Sequence, residues 1–211
     1  FALDLSFNSL AYAKRKAKEL SIKNIEFIQG DLLDLKSINK KFDIIESVGV
    51  LHHMEDPFIG WKTLVEHLKD ESLMLIGLYS ERARENISKI KNKIKKLKIE
   101  ISSKNIINFR KDIFKNKETI FDNIKFSPDF YSTSGVRDLL FHIQEHKFNF
   151  RILKRYLEKL DLDFLGFEDK LVIEKFQKVY RNKKDLYNLN KWEDYENKHP
   201  RIFAGMYQFW C

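Results

Sequence analysis

The chain has 211 residues, of which 43% are hydrophobic and 14% aromatic. That is too apolar for a disordered polymer and long enough to bury one sizeable core with an appended subdomain. No apolar run approaches the roughly 20 residues that span a bilayer, and the lone Cys211 excludes an internal disulfide framework and suits a reducing, cytoplasmic setting. The net charge of +8 is local, because residues 81–125 hold fourteen Lys/Arg against six Asp/Glu.

In chain order, residues 2–5 read as the end of a strand. Ser6 can cap a helix whose apolar positions, Leu10, Ala13, Ala17 and Leu20, recur at helical intervals. Residues 25–29 form a short strand that turns at Gly30-Asp31, and 42–47 form a further apolar strand. Asp56-Pro57 places a cap before proline at the first helical position. Phe58, Trp61, Leu64, Val65 and Leu68 then supply the buried stripe, and 72–79 read as a buried strand. Such alternation predicts an α/β fold with a parallel sheet covered on both faces and right-handed crossovers.

Beyond Tyr79 the pattern changes. Ile87, Ile90, Ile94, Leu97 and Ile101 alternate steps of three and four, a narrow apolar seam on a basic helix over 81–101. Residues 102–128 are polar and weakly periodic. Ser134 can cap a helix that buries Val136, Leu139, Leu140 and Ile143. A helix over 150–160, a strand over 162–167, a helix over 171–179 and an aromatic strand over 203–210 complete the chain. With no internal repeat or flexible linker, one domain is expected. Residues 1–80 would be a partial cofactor-binding core, 81–160 a helical insertion acting as a substrate lid, and 161–211 strands and a helix that complete the sheet.

Three short stretches carry the chemistry: LDLS around Asp4, QGDLLDL around Asp31, and ESVGVLHHMEDP over 46–57. In open parallel sheets, ligands bind beyond the carboxyl ends of the strands, where both aspartates fall. Either could instead be a turn former or helix cap. Together the stretches resemble the class I S-adenosylmethionine-dependent methyltransferases. The resemblance implies a Rossmann-like, doubly wound, mostly parallel sheet with an antiparallel last strand, and S-adenosylmethionine as cofactor. Asp4 would hold the ribose hydroxyls, since an ionised carboxylate makes the stronger hydrogen bonds. Asp31, following Gly30, would take the adenine amino group, because a carboxylate offers only acceptors. Leu5 and Leu32 would flank the base. Ser47 and Gly49 would pass the methionine end, glycine allowing close approach.

The same resemblance implies that a glycine-rich first strand, loop and helix lie before Phe1. The two strands flanking that first strand would then pair directly or leave a gap. The runs DFYSTSGVRDLLFHIQEHKF and FAGMYQFW are similar to a subgroup that often follows tetratricopeptide repeats, which are therefore expected ahead of this segment in the full-length chain.

Methyl transfer is an in-line displacement needing alignment and desolvation, and a base only when the acceptor arrives protonated. His52 and His53, after the third strand, are candidate bases that titrate near neutrality. Tyr79 could position an acceptor. Arg82 and Arg84 could bind a carboxylate or phosphate, or be helix-surface charges. His142 and His146 could face an acceptor pocket. They also fit H-x-x-E-H, a zinc pattern that lacks the third protein ligand such a centre requires, so no metal is expected. Tyr180 and Lys184 fit a dehydrogenase motif without its other parts. The competing class is a non-catalytic module whose basic helix binds nucleic acid or an acidic protein. No aromatic residue interleaves those lysines for base stacking, so nucleic acid is not the expected partner. A methyltransferase core that binds cofactor without turnover is the third reading. The methyl acceptor, small molecule or protein, is not legible.

Overall fold

The computed structural model describes every residue of the chain except Lys117, Phe126, Ile143 and Ala204. Strand β1 (Ala2–Asp4) leads into α1 (Phe7–Glu19), capped by Ser6, whose Oγ accepts from the Ser9 amide. Strand β2 (Phe27–Gln29) runs parallel to β1, with Asp4 opposite Gln29. Then β3 (Phe42–Val48), α2 (Pro57–Val65) and β4 (Leu68–Tyr79) form a parallel crossover unit. As its sequence predicts, α2 starts where the Asp56 carboxylate accepts from the Phe58 and Ile59 amides.

The next segment is helical: α3 (Glu85–Lys96), α4 (Ser103–Lys115), α5 (Asp122–Lys125) and α6 (Thr133–Val136), which continues as a π-helical turn over Arg137–Phe141. After it come α7 (Phe150–Lys159), β5 (Gly166–Phe167), α8 (Lys170–Gln177), α9 (Leu189–Lys198) and β6 (Met206–Trp210). Strand β6 is antiparallel to both β4 and β5.

The architecture is an α/β, Rossmann-like fold, but its strands form two sheets: β1-β2 and β3-β4-β6-β5. Of the two outcomes expected for the flanking strands, the structure takes the open gap. The apolar side chains along the gap, such as Ile44 at 56% exposure, have no covering layer among the described residues.

Two hydrophobic cores result. The larger joins the four-stranded sheet to α2, α7, α8 and α9 through Trp61, Met74, Leu153, Phe176, Trp192 and Phe209. The smaller belongs to the insertion and spans Ile90 to Phe141. Helix α7, grouped with the insertion on sequence, sends Phe150, Leu153 and Leu157 into the sheet's core instead. No helix among the described residues is long and apolar enough to cross a membrane.

Several expectations need correction. Leu68 opens β4 opposite Phe42 and does not close the stripe of α2. Leu20, Leu97 and Ile101 are exposed at 69%, 59% and 50% because α1 stops at Glu19 and α3 at Lys96. Residues 102–128 contain α4, which buries Ile106, Phe109 and Ile113 at steps of three and four. The cap before α6 is Ser132, which accepts from the Gly135 amide, and not Ser134; Ile143, assigned to that helix on sequence, lies outside the described residues. Helix α9, with Trp192, Tyr195 and Glu196 buried, was not anticipated.

Candidate functional site

The gap between the sheets is a cavity of about 630 Å³ that runs along β3, from Phe42 at its amino end to Ser47 near its carboxyl end. Asp4 and Leu5 from the end of β1, Gly30, Asp31 and Leu32 after β2, and Ser47 of β3 all line it. The two aspartates therefore face one space. The link is local: Gly30 donates its N–H to the Asp4 carbonyl at 3.3 Å, tying the two strand ends together.

Each aspartate also does the work of a turn former. Asp4 Oδ1 accepts from the Ser6 amide at 2.8 Å, and Asp31 Oδ1 accepts from the Leu33 amide at 2.9 Å. Among the described residues neither Oδ2 is engaged, so one oxygen per carboxylate remains for a ligand. Ser47 is 4% exposed, and its Oγ has no hydrogen-bond partner among the described residues. A buried hydroxyl left this way costs roughly 1–3 kcal/mol, and on a cavity wall it could be satisfied by a polar group entering the cavity.

Gly49 does not line this cavity. It adopts φ 83°, donates to the Gly77 carbonyl at 3.2 Å, and a Cβ built there would meet nothing within 4 Å. Backbone conformation, not close approach of a neighbour, is what requires glycine here.

A second cavity, of about 1130 Å³, lies beyond Tyr79 and under the insertion. Its walls include Tyr79, Arg82, Arg84, Asp129, Asp138 and His142. His53 lines both cavities. Its Nδ1 lies 3.1 Å from the Gln144 carbonyl. A carbonyl can only accept, so Nδ1 carries the proton and Nε2 of the neutral ring has a free lone pair. Burial lowers the pKa of His53 below its ordinary 6.5; His142 lowers it further, against the Gln144 hydrogen bond. His53 is thus neutral at pH 7.

His52, the other candidate base, is fully buried and lines neither cavity. Its ring stacks on Tyr79 with centroids 3.6 Å apart, and both ring nitrogens lack a partner among the described residues. Burial first, then His53 and Arg84, push its pKa down to about 3. That makes it a neutral packing group, out of an acceptor's reach. Tyr79 is half-buried at the wall, its pKa raised by burial.

Arg84 is no surface charge. It is 5% exposed, its guanidinium lies 3.6 Å from the centroid of the Tyr79 ring, and it grips Glu145 through Nε–Oε1 at 2.9 Å and Nη2–Oε2 at 3.0 Å. Lys91 adds a third bond to Oε2 at 2.9 Å. Burial raises the Glu145 pKa, but the hydrogen bonds from Arg84 and Lys91 outweigh it and hold it at about 2. Arg84 is therefore committed to Glu145 and unavailable as an anion receptor. Arg82 donates to the Asn197 side chain at 2.7 Å.

None of the described residues of the H-x-x-E-H stretch is helical. The π-turn ends at Phe141, and His142 is already extended at φ −62°, ψ 129°. His142 donates from Nδ1 to the Gln144 carbonyl at 2.8 Å and lines the second cavity. His146 lines neither cavity; its backbone N–H donates to the His52 carbonyl at 2.7 Å. Glu145, the most firmly held polar residue here, was not singled out on sequence, and its partner Arg84 is 61 positions away. The basicity of α3 is also partly spent, with Lys89, Lys91 and Lys93 paired to Glu85, Glu145 and Glu118.

Fold and cavities together define a Rossmann-like α/β protein with an open cavity lined by the ends of two parallel strands. The family model described as a methyltransferase domain matches residues 1–124, and the chain belongs to that family. An uncharacterized protein of Synechococcus, syc1184_c, is 29% identical over 177 residues, covering 80% of this chain and 42% of that protein. Among solved structures, PKMT2 from Rickettsia typhi is similar in fold both alone and in complex with AdoHcy. The TM-scores are 0.64 and 0.62, with 17% identity over 99% of this chain and 42% of that one. The chain thus spans about two-fifths of the length of these relatives.

Proposed function

We propose that the chain carries the cofactor-facing and acceptor-facing surfaces of S-adenosylmethionine-dependent methyl transfer. One observation carries the reading: the cavity holding the strand-end carboxylates and a second, larger cavity share one wall residue, His53. A donor in one space and an acceptor in the other is what a transfer reaction requires. PKMT2 of Rickettsia typhi, which shares the fold, has been seen with AdoHcy, and that supports the choice of cofactor.

The residues present fit such a group. The free oxygens of Asp4 and Asp31 suit ribose hydroxyls and the adenine amino group, since both offer protons. Leu5 and Leu32 supply apolar walls, and the orphan hydroxyl of Ser47 gains a partner. When bound, the cofactor supplies an electrophilic methyl group on a cationic sulfur. The chain's share is to align the acceptor, exclude water and take up a proton. His53 is placed for the last, with Nε2 free, while Tyr79 and His142 border the acceptor space. The acceptor class is open.

The test is calorimetric titration with S-adenosylhomocysteine of the wild-type chain and of Asp4→Ala. The expected result is binding by the wild type and a loss of about tenfold in the variant, the worth of one charge-assisted hydrogen bond. Equal affinity in both would remove Asp4 from the site. Absence of binding by the wild-type chain would overturn the reading for this segment.

A further inference from the structure

We propose that Glu145, clamped by Arg84 and Lys91, is a positioning residue that fixes the Gln144 carbonyl against His53 and so leaves Nε2 as the free nitrogen of the ring that lines both cavities. The inference rests on the methyl-transfer reading for its purpose, but not for its geometry.

The argument starts from connectivity. Residues 144–148 form an irregular strap bonded to the strand-end loop that carries the histidines. The His146 N–H donates to the His52 carbonyl at 2.7 Å, the Gln144 side-chain amide donates to the Met54 carbonyl at 3.1 Å, and the Phe148 N–H donates to the Tyr79 carbonyl at 2.8 Å. These bonds set the strap's position but not the rotation of the Gln144–Glu145 peptide. That plane is fixed by what holds the next side chain. Glu145, 3% exposed, is held by three charge-assisted bonds of 2.9–3.0 Å from Arg84, the residue that precedes α3, and Lys91 within it. Arg84 is locked in turn by the Tyr79 ring.

A buried ion pair is a poor way to gain stability, because desolvation cancels much of the attraction and an apolar replacement is often as stable. Its distinctive property is directional: a bidentate arginine fork tolerates little rotation of the carboxylate it holds. What that rigidity serves here is the carbonyl one peptide away. Two rings depend on that oxygen, His53 at 3.1 Å and His142 at 2.8 Å. If the carbonyl turned away, His53 could carry its proton on either nitrogen, and the fraction with a free Nε2 would fall. The charged and titratable groups around His53 are His52, Tyr79, His142, Arg84 and Glu145.

The test reads the tautomer directly, by long-range proton–nitrogen correlation spectra of the histidine-labelled chain at neutral pH. The wild type is expected to show His53 with widely split nitrogen shifts, protonated at Nδ1 and bare at Nε2. In E145Q and E145A the split should collapse toward an average. If these variants do not fold, R84K, which keeps the charge but loses the fork, should show the same collapse in smaller degree. Removal of the Glu145 carboxylate also removes an attraction for the imidazolium, so the His53 titration point should move to lower pH in E145Q. A folded variant in which His53 keeps the wild-type split would overturn the proposal, since a purely structural ion pair would change the melting temperature and leave the tautomer alone. S-adenosylhomocysteine titration of the same samples separates the two ideas. A wild type that fails to bind sinks the methyl-transfer reading, while the spectra still decide the role of Glu145.

Discussion

His53 and His142 donate their Nδ1 protons to one acceptor, the main-chain oxygen of Gln144, at 3.1 and 2.8 Å, with ring centroids 4.1 Å apart. A carbonyl has two lone pairs and can serve both. The contact disfavours protonation of His53, because a positive charge beside an imidazolium repels it.

The first prediction concerns pH. Burial depresses the pKa of His53, and only its neutral form can accept a proton. Methyl incorporation from labelled S-adenosylmethionine into a cell extract should therefore rise with pH below the ordinary 6.5 and be flat from about pH 7 to 8. His53→Gln should lower the plateau about 100-fold, the typical worth of a general base, and remove the acidic limb. An identical profile in wild type and variant would exclude His53 as the base.

The second turns on opposite signs at Ser47. Its buried hydroxyl has no partner among the described residues, so Ser47→Ala should leave the melting temperature unchanged or raise stability by about 1 kcal/mol. The same change should weaken S-adenosylhomocysteine binding by about threefold to tenfold. Thermal melts and titrations on one preparation would read both. A variant that is less stable and binds normally would mean the hydroxyl serves the fold.

The third is an acid-stability signature of Glu145. Its pKa is held at about 2, below the ordinary 4.5. A carboxyl with a depressed folded-state pKa adds stability above its unfolded pKa, and loses it as pH falls through the folded value. Wild-type stability should therefore decline between about pH 4.5 and 2, by up to about 3 kcal/mol from this group. Glu145→Gln leaves Arg84 buried without its counter-charge and should cost about 3–5 kcal/mol at pH 7, with the gap to wild type narrowing toward pH 2. Denaturant titrations at several pH values would show it, and parallel curves for the two proteins would refute the ion pair's contribution.

Local chemistry made much of this legible. Ser6 and Asp56 cap helices because short oxygen-bearing side chains before an apolar period can do little else. Asp4 and Asp31 reach one cavity because parallel neighbours must end at the same edge of a sheet. What escaped has physical causes too. The Ile106, Phe109, Ile113 stripe of α4 is narrow and set among lysines and asparagines, so its period is diluted. The histidines of the H-x-x-E-H run sit past a π-turn, and nothing in their spacing announces that the helix has ended. Arg84 and Glu145 meet only because the insertion folds back, a contact that no local pattern encodes.

The last prediction concerns the passage of β3 beside β4. Gly77 pairs with Val48, and a Cβ at Gly77 would lie 2.6 Å from Val48 Cγ1 and 3.0 Å from Val48 Cα. Gly77→Ala must push β3 outward at the point where Ser47 faces the cavity. Overpacking of this kind costs about 1–3 kcal/mol, and S-adenosylhomocysteine affinity should drop with it because Ser47 moves. Adding Val48→Ala removes the Cγ1 clash but leaves the main-chain contact with Cα. The double variant should therefore regain part of the stability and only part of the affinity. Full recovery of both would mean that side-chain bulk alone sets the spacing. No loss of affinity in the single variant would separate the position of β3 from the ligand site.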